Sequence, residues 1–133
     1  MRRADGASRL ACAAVAFAAA ATLGAGPAAG GGLDARGTAV GVSEREFRIS
    51  AYRPVVPPGG VKLNVTNFGE DVHDLVVLSP RGRQVGTTGE IGAGGRAVLR
   101  VKLTKPGVYR LLCSQADHAS RGMSTRLRVR RAN

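Results

Sequence analysis

Two histidines, one cysteine and one methionine make the set most capable of chemistry in this chain: His73, Cys113, His118 and Met123. Imidazole, thiolate and thioether are soft or borderline donors. Together they favour copper over hard cations, and two His with one Cys and a weak axial Met are the ligands of a type 1 (blue) copper site. Three of them fall in one stretch, Cys113-x4-His118-x4-Met123. The fourth, His73, stands just ahead of the apolar run Leu75-Val76-Val77-Leu78. No other histidine exists in the chain.

Singly, each residue has a plainer role. His73 would be a hydrogen-bonded histidine, His118 a solvated one, Cys113 a small buried apolar group and Met123 a core filler. Geometry argues for the set. A strand that ends at Cys113 carries its side chain on the face of Tyr109 and Leu111. A tight loop between neighbouring strands then brings Cys, His and Met around one point, and His73 arrives from another loop at the same end.

The elements that must hold such a site are strands. Phe47, Ile49 and Ala51 alternate with Arg48 and Ser50, and Val61, Leu63 and Val65 alternate with Lys62 and Asn64. Ala97, Leu99, Val101 and Leu103 repeat the period, as do Leu127 and Val129 between arginines. Leu75 to Leu78 read as a strand covered on both faces. Turn signals separate the runs: Pro57-Pro58-Gly59-Gly60, Asn67-Phe68-Gly69, Ser79-Pro80-Arg81-Gly82, Gly92-Ala93-Gly94-Gly95 and Lys105-Pro106-Gly107. Short strands at this spacing predict an all-β sandwich or barrel. Residues 81–95 show no clear period and read as irregular.

The N-terminus reads as an export signal. Arg2, Arg3 and Arg9 precede the apolar residues 10–25, and the small residues Gly26-Pro27-Ala28-Ala29-Gly30 offer a cleavage site. Arg2-Arg3 lacks the apolar residues that follow a twin-arginine pair, and Cys12 opens the apolar run instead of closing it as a lipoprotein cysteine would. The expected division is a signal peptide over 1–29, a flexible linker and first edge segment over 30–44, and a copper-binding domain over 45–133. The protein is then exported: periplasmic, extracellular or at the cell surface. Cys113 is left as a single thiol in an oxidising compartment, where burial, pairing between chains or a metal protects it.

Here the chain resembles the cupredoxins, the plastocyanin and azurin superfamily. The resemblance lies in Val65-Thr66-Asn67-Phe68-Gly69 leading to His73, in Pro106-Gly107-Val108-Tyr109, in Cys113-x4-His118-x4-Met123, and in Arg126-Leu127-Arg128-Val129. It implies a Greek-key β-sandwich and one-electron shuttling between Cu(II) and Cu(I) at one copper ion. It also points to Asp74 and Asn67 as residues that brace the ligands from behind. Ala116-Asp117 stands where the family usually has Pro-Gly, and Asp74 where it often has Asn. Negative charge from Asp117 should stabilise Cu(II) and lower the potential.

Other classes remain open. A copper-delivery protein without electron transfer is one. A cupredoxin-like structural domain, empty or holding zinc, is another. An enzyme is not expected, because copper oxidases and nitrite reductases need further histidines, and neither a Walker loop nor a Cys-x-x-Cys pair occurs. From Gly30 onward 17 basic and 8 acidic residues give a net charge of +9. Arg126, Arg128, Arg130 and Arg131 suggest a basic stripe, with Arg100 and Lys102 extending it. It suits an acidic redox partner or an anionic cell envelope. Nucleic acid is not expected for an exported, aromatic-poor chain, and the protein reads as a monomer.

Overall fold

Period-two patterning becomes nine strands in the computed structural model, which describes residues 37–131. They are β1 (Thr38–Arg45), β2 (Arg48–Ala51), β3 (Val55–Val56), β4 (Gly59–Asn67), β5 (His73–Leu78), β6 (Gln84–Ile91), β7 (Arg96–Leu103), β8 (Gly107–Leu112) and β9 (Ser124–Val129). The expected signal peptide, residues 1–29, lies outside the described residues. The strands form two sheets, ordered β2-β1-β4-β7 and β3-β9-β8-β5-β6. The chain crosses between the sheets from β2 to β3, β3 to β4, β4 to β5, β6 to β7 and β7 to β8, giving the all-β sandwich that the sequence predicts.

Inward-facing residues of both sheets make one core. Leu63, Leu75, Leu103, Leu111 and Leu127 are fully buried within it, each contributing about 1.5–3 kcal/mol by leaving water. Alternation sets which residues face in: Val61, Leu63 and Val65 are buried on β4, while Lys62, Asn64 and Thr66 face out.

Two sequence expectations need correction. Residues 30–44 do not end as an edge segment. From Thr38 the chain is β1, an interior strand paired with β2 on one side and β4 on the other. Val40, Val42 and Glu44 face the core in strict alternation. Residues 81–95 are not irregular throughout, because Gln84–Ile91 is the edge strand β6. Its pairing with β5 is broken by two register shifts, and only its last residue, Ile91, is buried.

At one end of the sandwich β1, β4, β6 and β8 finish and β2, β5, β7 and β9 begin. Asn67 ties this end together. Its Nδ2 donates to the carbonyls of Asp71 (2.7 Å) and Ile91 (2.9 Å), and its Oδ1 accepts the Gly69 N–H (2.8 Å).

Candidate metal centre

His73, Cys113 and His118 converge at that end. His73 Nδ1 lies 3.2 Å from His118 Nδ1, and Cys113 Sγ lies 3.9 Å and 3.6 Å from the two nitrogens. A triangle with these sides has a point equidistant from its corners at about 2.1 Å, which is the length of a first-row metal bond to imidazole nitrogen and slightly short for thiolate sulfur. The three donors therefore fit one metal ion without rearrangement. Both rings direct Nδ1 inward. His73 and Cys113 are fully buried, and His118 is 8% exposed.

Local structure explains the convergence. Cys113 follows β8 directly and keeps the buried side of Tyr109 and Leu111. The loop then folds on itself: His118 N–H donates to Gln115 O (3.0 Å), Arg121 N–H to Asp117 O (3.1 Å) and Gly122 N–H to Ala119 O (3.1 Å). Met123 closes it. Its N–H donates to His118 O (2.9 Å), and its carbonyl accepts the Cys113 N–H (3.2 Å). The Met123 side chain is fully buried in the same core. Ala116 takes a φ of 39°, a left-handed conformation uncommon outside glycine.

Several side chains stand behind the donors. Asp74 Oδ1 accepts the Ser114 N–H (2.5 Å), and Asp74 Oδ2 accepts the Ser114 hydroxyl and, at 3.5 Å, Gln115 Nε2. Glu46, in the β1–β2 turn, places Oε1 3.3 Å from His73 Nε2. The same oxygen accepts the N–H groups of Glu70 (2.6 Å) and Asp71 (2.9 Å). The Asp71 N–H leads the contacts that pull the Glu46 carboxyl down to about 2, with its own N–H next. A Cβ at Gly69 would run into this carboxylate and displace it from its hydrogen bonds. Phe47 adopts a φ of 57° and sets its ring edge-on to His118 at 5.3 Å, with the Arg121 guanidinium 3.4 Å above it. Such backbone strain gathers at functional sites.

Burial pushes the Cys113 thiol up from its ordinary value. Glu44 is fully buried and neither carboxylate oxygen has a hydrogen-bond partner among the described residues. Burial first, then the charge of Asp74, raises its carboxyl to about 7.

The structure thus brings together His73, Cys113 and His118, sets Met123 in the same loop, and places Asp74 against the residue after Cys113. Asn67 braces the β4–β5 connection and makes no hydrogen bond to a donor residue. Asp117 is exposed beside His118. Sequence reasoning missed Glu46, Phe47 and Glu44. For Glu44 a signal existed: it is in phase with Val40 and Val42, an acid at an inward position.

A sequence model described as multicopper oxidase matches residues 62–133. No curated protein matches the chain. Among solved structures, the fold is similar to dithionite-reduced auracyanin from Roseiflexus castenholzii, with 18% identity and a TM-score of 0.63, over 71% of this chain and 98% of that one. It is similar to auracyanin A, a "blue" copper protein from Chloroflexus aurantiacus, with 10% identity and a TM-score of 0.57, over 70% of this chain and 98% of that one. A copper-containing nitrite reductase from Thermus scotoductus shares the fold at 15% identity and a TM-score of 0.55, over 70% of this chain but 31% of the reductase. With a family match over more than half of its length, and a sandwich shared with blue copper proteins, the chain belongs to the multicopper oxidase family as a cupredoxin domain.

Proposed function

We propose that this protein carries single electrons at one copper ion that His73 Nδ1, His118 Nδ1 and Cys113 Sγ would hold, with the Met123 thioether as a further, weaker donor. The observation that supports this reading is the donor triangle with sides of 3.2, 3.6 and 3.9 Å. Bound copper supplies a one-electron Cu(II)/Cu(I) couple.

The chain's own residues do the rest. His73 is anchored at the start of β5 and Cys113 at the end of β8, neighbouring strands in one sheet. A rigid frame holds the donors still when the metal's charge changes, which lowers the cost of reorganisation. Glu46 accepts from His73 Nε2 and thereby leaves Nδ1 free for the metal. Cys113 gives up its proton on binding, so loading releases acid. His118, the one donor with an exposed edge, is the route by which an electron enters and leaves.

We assign no enzymatic activity to the domain, despite the family's name. Both histidines of the chain are used here, so none remains to build a second copper centre. Export by residues 1–29 belongs to the same reading.

Cu(II) titration of the protein, followed by visible absorption beside a Cys113→Ser control, tests it. An intense band that saturates at one equivalent and is missing in the control is expected, together with reversible one-electron voltammetry. Tight copper binding with no reversible couple would favour delivery over electron transfer.

A further inference from the structure

Every carboxylate among the described residues lies at the metal end. Glu44 and Glu46 sit at the end of β1 and in the turn after it, and Glu70 and Asp71 in the β4–β5 connection. Asp74 is the second residue of β5, Glu90 precedes the last residue of β6, and Asp117 is in the ligand loop. The opposite end carries none. There the β5–β6 turn exposes Arg81 and Arg83, the β7–β8 turn exposes Lys105, β7 exposes Lys102, and Arg130 and Arg131 follow β9. Among the described residues no lysine or arginine forms an ion pair with a carboxylate. Negative charge is therefore confined to the metal end, where Arg45, Arg48, Arg96 and Arg121 offset part of it, while the far end is cationic throughout.

The basic residues also divide across the sandwich. Arg126 and Arg128 lie on the sheet of β9, whereas Arg100 and Lys102 lie on the sheet of β7. They do not form the single stripe that the sequence suggests. The far end is where cations stand without any carboxylate beside them. A shallow cavity of about 650 Å³ opens towards it, lined by Lys62, Arg100, Lys102 and the glycines 37, 59 and 60, with no acidic residue. The chain enters the domain here, at Gly37 and β1. The apolar residues 10–25 lie upstream of that point.

We propose that the cationic end docks on an anionic phospholipid surface and turns the metal end away from it. The cations are spread over turns and strand ends of both sheets, an array suited to a broad field of headgroups. Charge at a bilayer surface attracts each nearby Lys or Arg, strengthening binding about fivefold per residue, and the pull decays within a Debye length. The carboxylates at the other end are repelled by the same surface, which fixes the orientation. Docking of this end does not depend on bound copper.

Sedimentation of the full chain with vesicles tests it. Pure phosphatidylcholine vesicles report any contribution from the apolar N-terminal residues; vesicles mixed with phosphatidylglycerol add the charge. Stronger binding to the mixed vesicles is expected, falling as salt rises. The triple variant Arg81→Gln, Lys105→Gln, Arg83→Gln should lose about a hundredfold of that preference. The triple variant Arg45→Gln, Arg48→Gln, Arg96→Gln, at the metal end, should lose far less. Circular dichroism checks that both fold. Equal losses would mean that net charge alone is read, and would overturn the proposal. So would equal binding to both vesicle types, or binding to soluble polyphosphate with no vesicle preference.

Discussion

Asp74 and Ser114 are joined by a short hydrogen bond, Ser114 N–H to Asp74 Oδ1 at 2.5 Å. One follows His73 and the other follows Cys113, so the two stretches that deliver the donors are fastened one residue behind each. The Ser114 hydroxyl adds a second bond to the same carboxylate. Hydrogen bonds to a charged acceptor are worth about 1.5–3 kcal/mol each. Asp74→Ala should cost about 2–4 kcal/mol in urea denaturation and broaden the copper band, with Asp74→Asn retaining part of both. A loss below about 0.5 kcal/mol would show that the brace is idle.

Glu46 acts from outside the ligand loop. Its carboxylate meets His73 Nε2 at 3.3 Å. Glu46→Gln should weaken copper binding about 10–100-fold, the usual effect of losing a partner behind a ligating histidine. Competition with a chelator measures it. Gly69→Ala, which intrudes on the same carboxylate, should shift affinity in the same direction.

Glu44 gives the fold a pH dependence of known sign. Its carboxyl sits near 7 in the folded chain against 4.5 for an ordinary glutamate. The folded state therefore holds a proton that the unfolded state has lost between those values. Stability from this group is greatest below pH 4.5, falls as pH rises, and levels off above 7. The span is about 3 kcal/mol at most. Glu44→Met should flatten the slope, stabilising the apoprotein at pH 8 and changing little at pH 4.5. Glu46 works in the other direction and in a lower window, its contribution fading as pH falls from 4.5 towards 2.

Ala116 makes the ligand loop resist the family's usual residue. A φ of 39° is closed to proline, whose ring fixes φ near −65°. Ala116→Pro should destabilise the apoprotein by about 1–3 kcal/mol, whereas Ala116→Gly should be neutral or mildly stabilising. Thermal denaturation of the pair decides; a stabilising proline would show that the loop adopts another path.

Asp117 is exposed beside His118. Removing its charge in Asp117→Gly should raise the reduction potential, because a nearby carboxylate favours Cu(II). Voltammetry of the loaded variant reads the sign; an unchanged or lower potential contradicts it.

Most strands were legible because their two faces differ. Val61, Leu63 and Val65 are buried on β4 while their neighbours face water, and period-two reading finds such elements. β6 was not legible for the converse reason. It is an edge strand with one buried residue, glycines at 86 and 89, and two register shifts, so neither period nor composition marks it. The cavity-free approach of Gly86 to Val101, which a Cβ would obstruct, is a tertiary fact with no local trace. The donor residues were legible by type and spacing. Glu46 was not, since it reaches His73 from 27 residues away through a turn.

The ligand loop is already a closed ring in the protein chain itself: Cys113 bonds to Met123 and Met123 to His118 through main-chain groups. Three of the four donors thus travel as one cassette. A metal ion entering it needs only His73 besides, and the Asp74–Ser114 hydrogen bond already holds that residue's stretch in place. Most of the entropy of gathering the donors is spent when β8 and β9 pair, so folding can run to completion first and metallation can follow as a late, separable event.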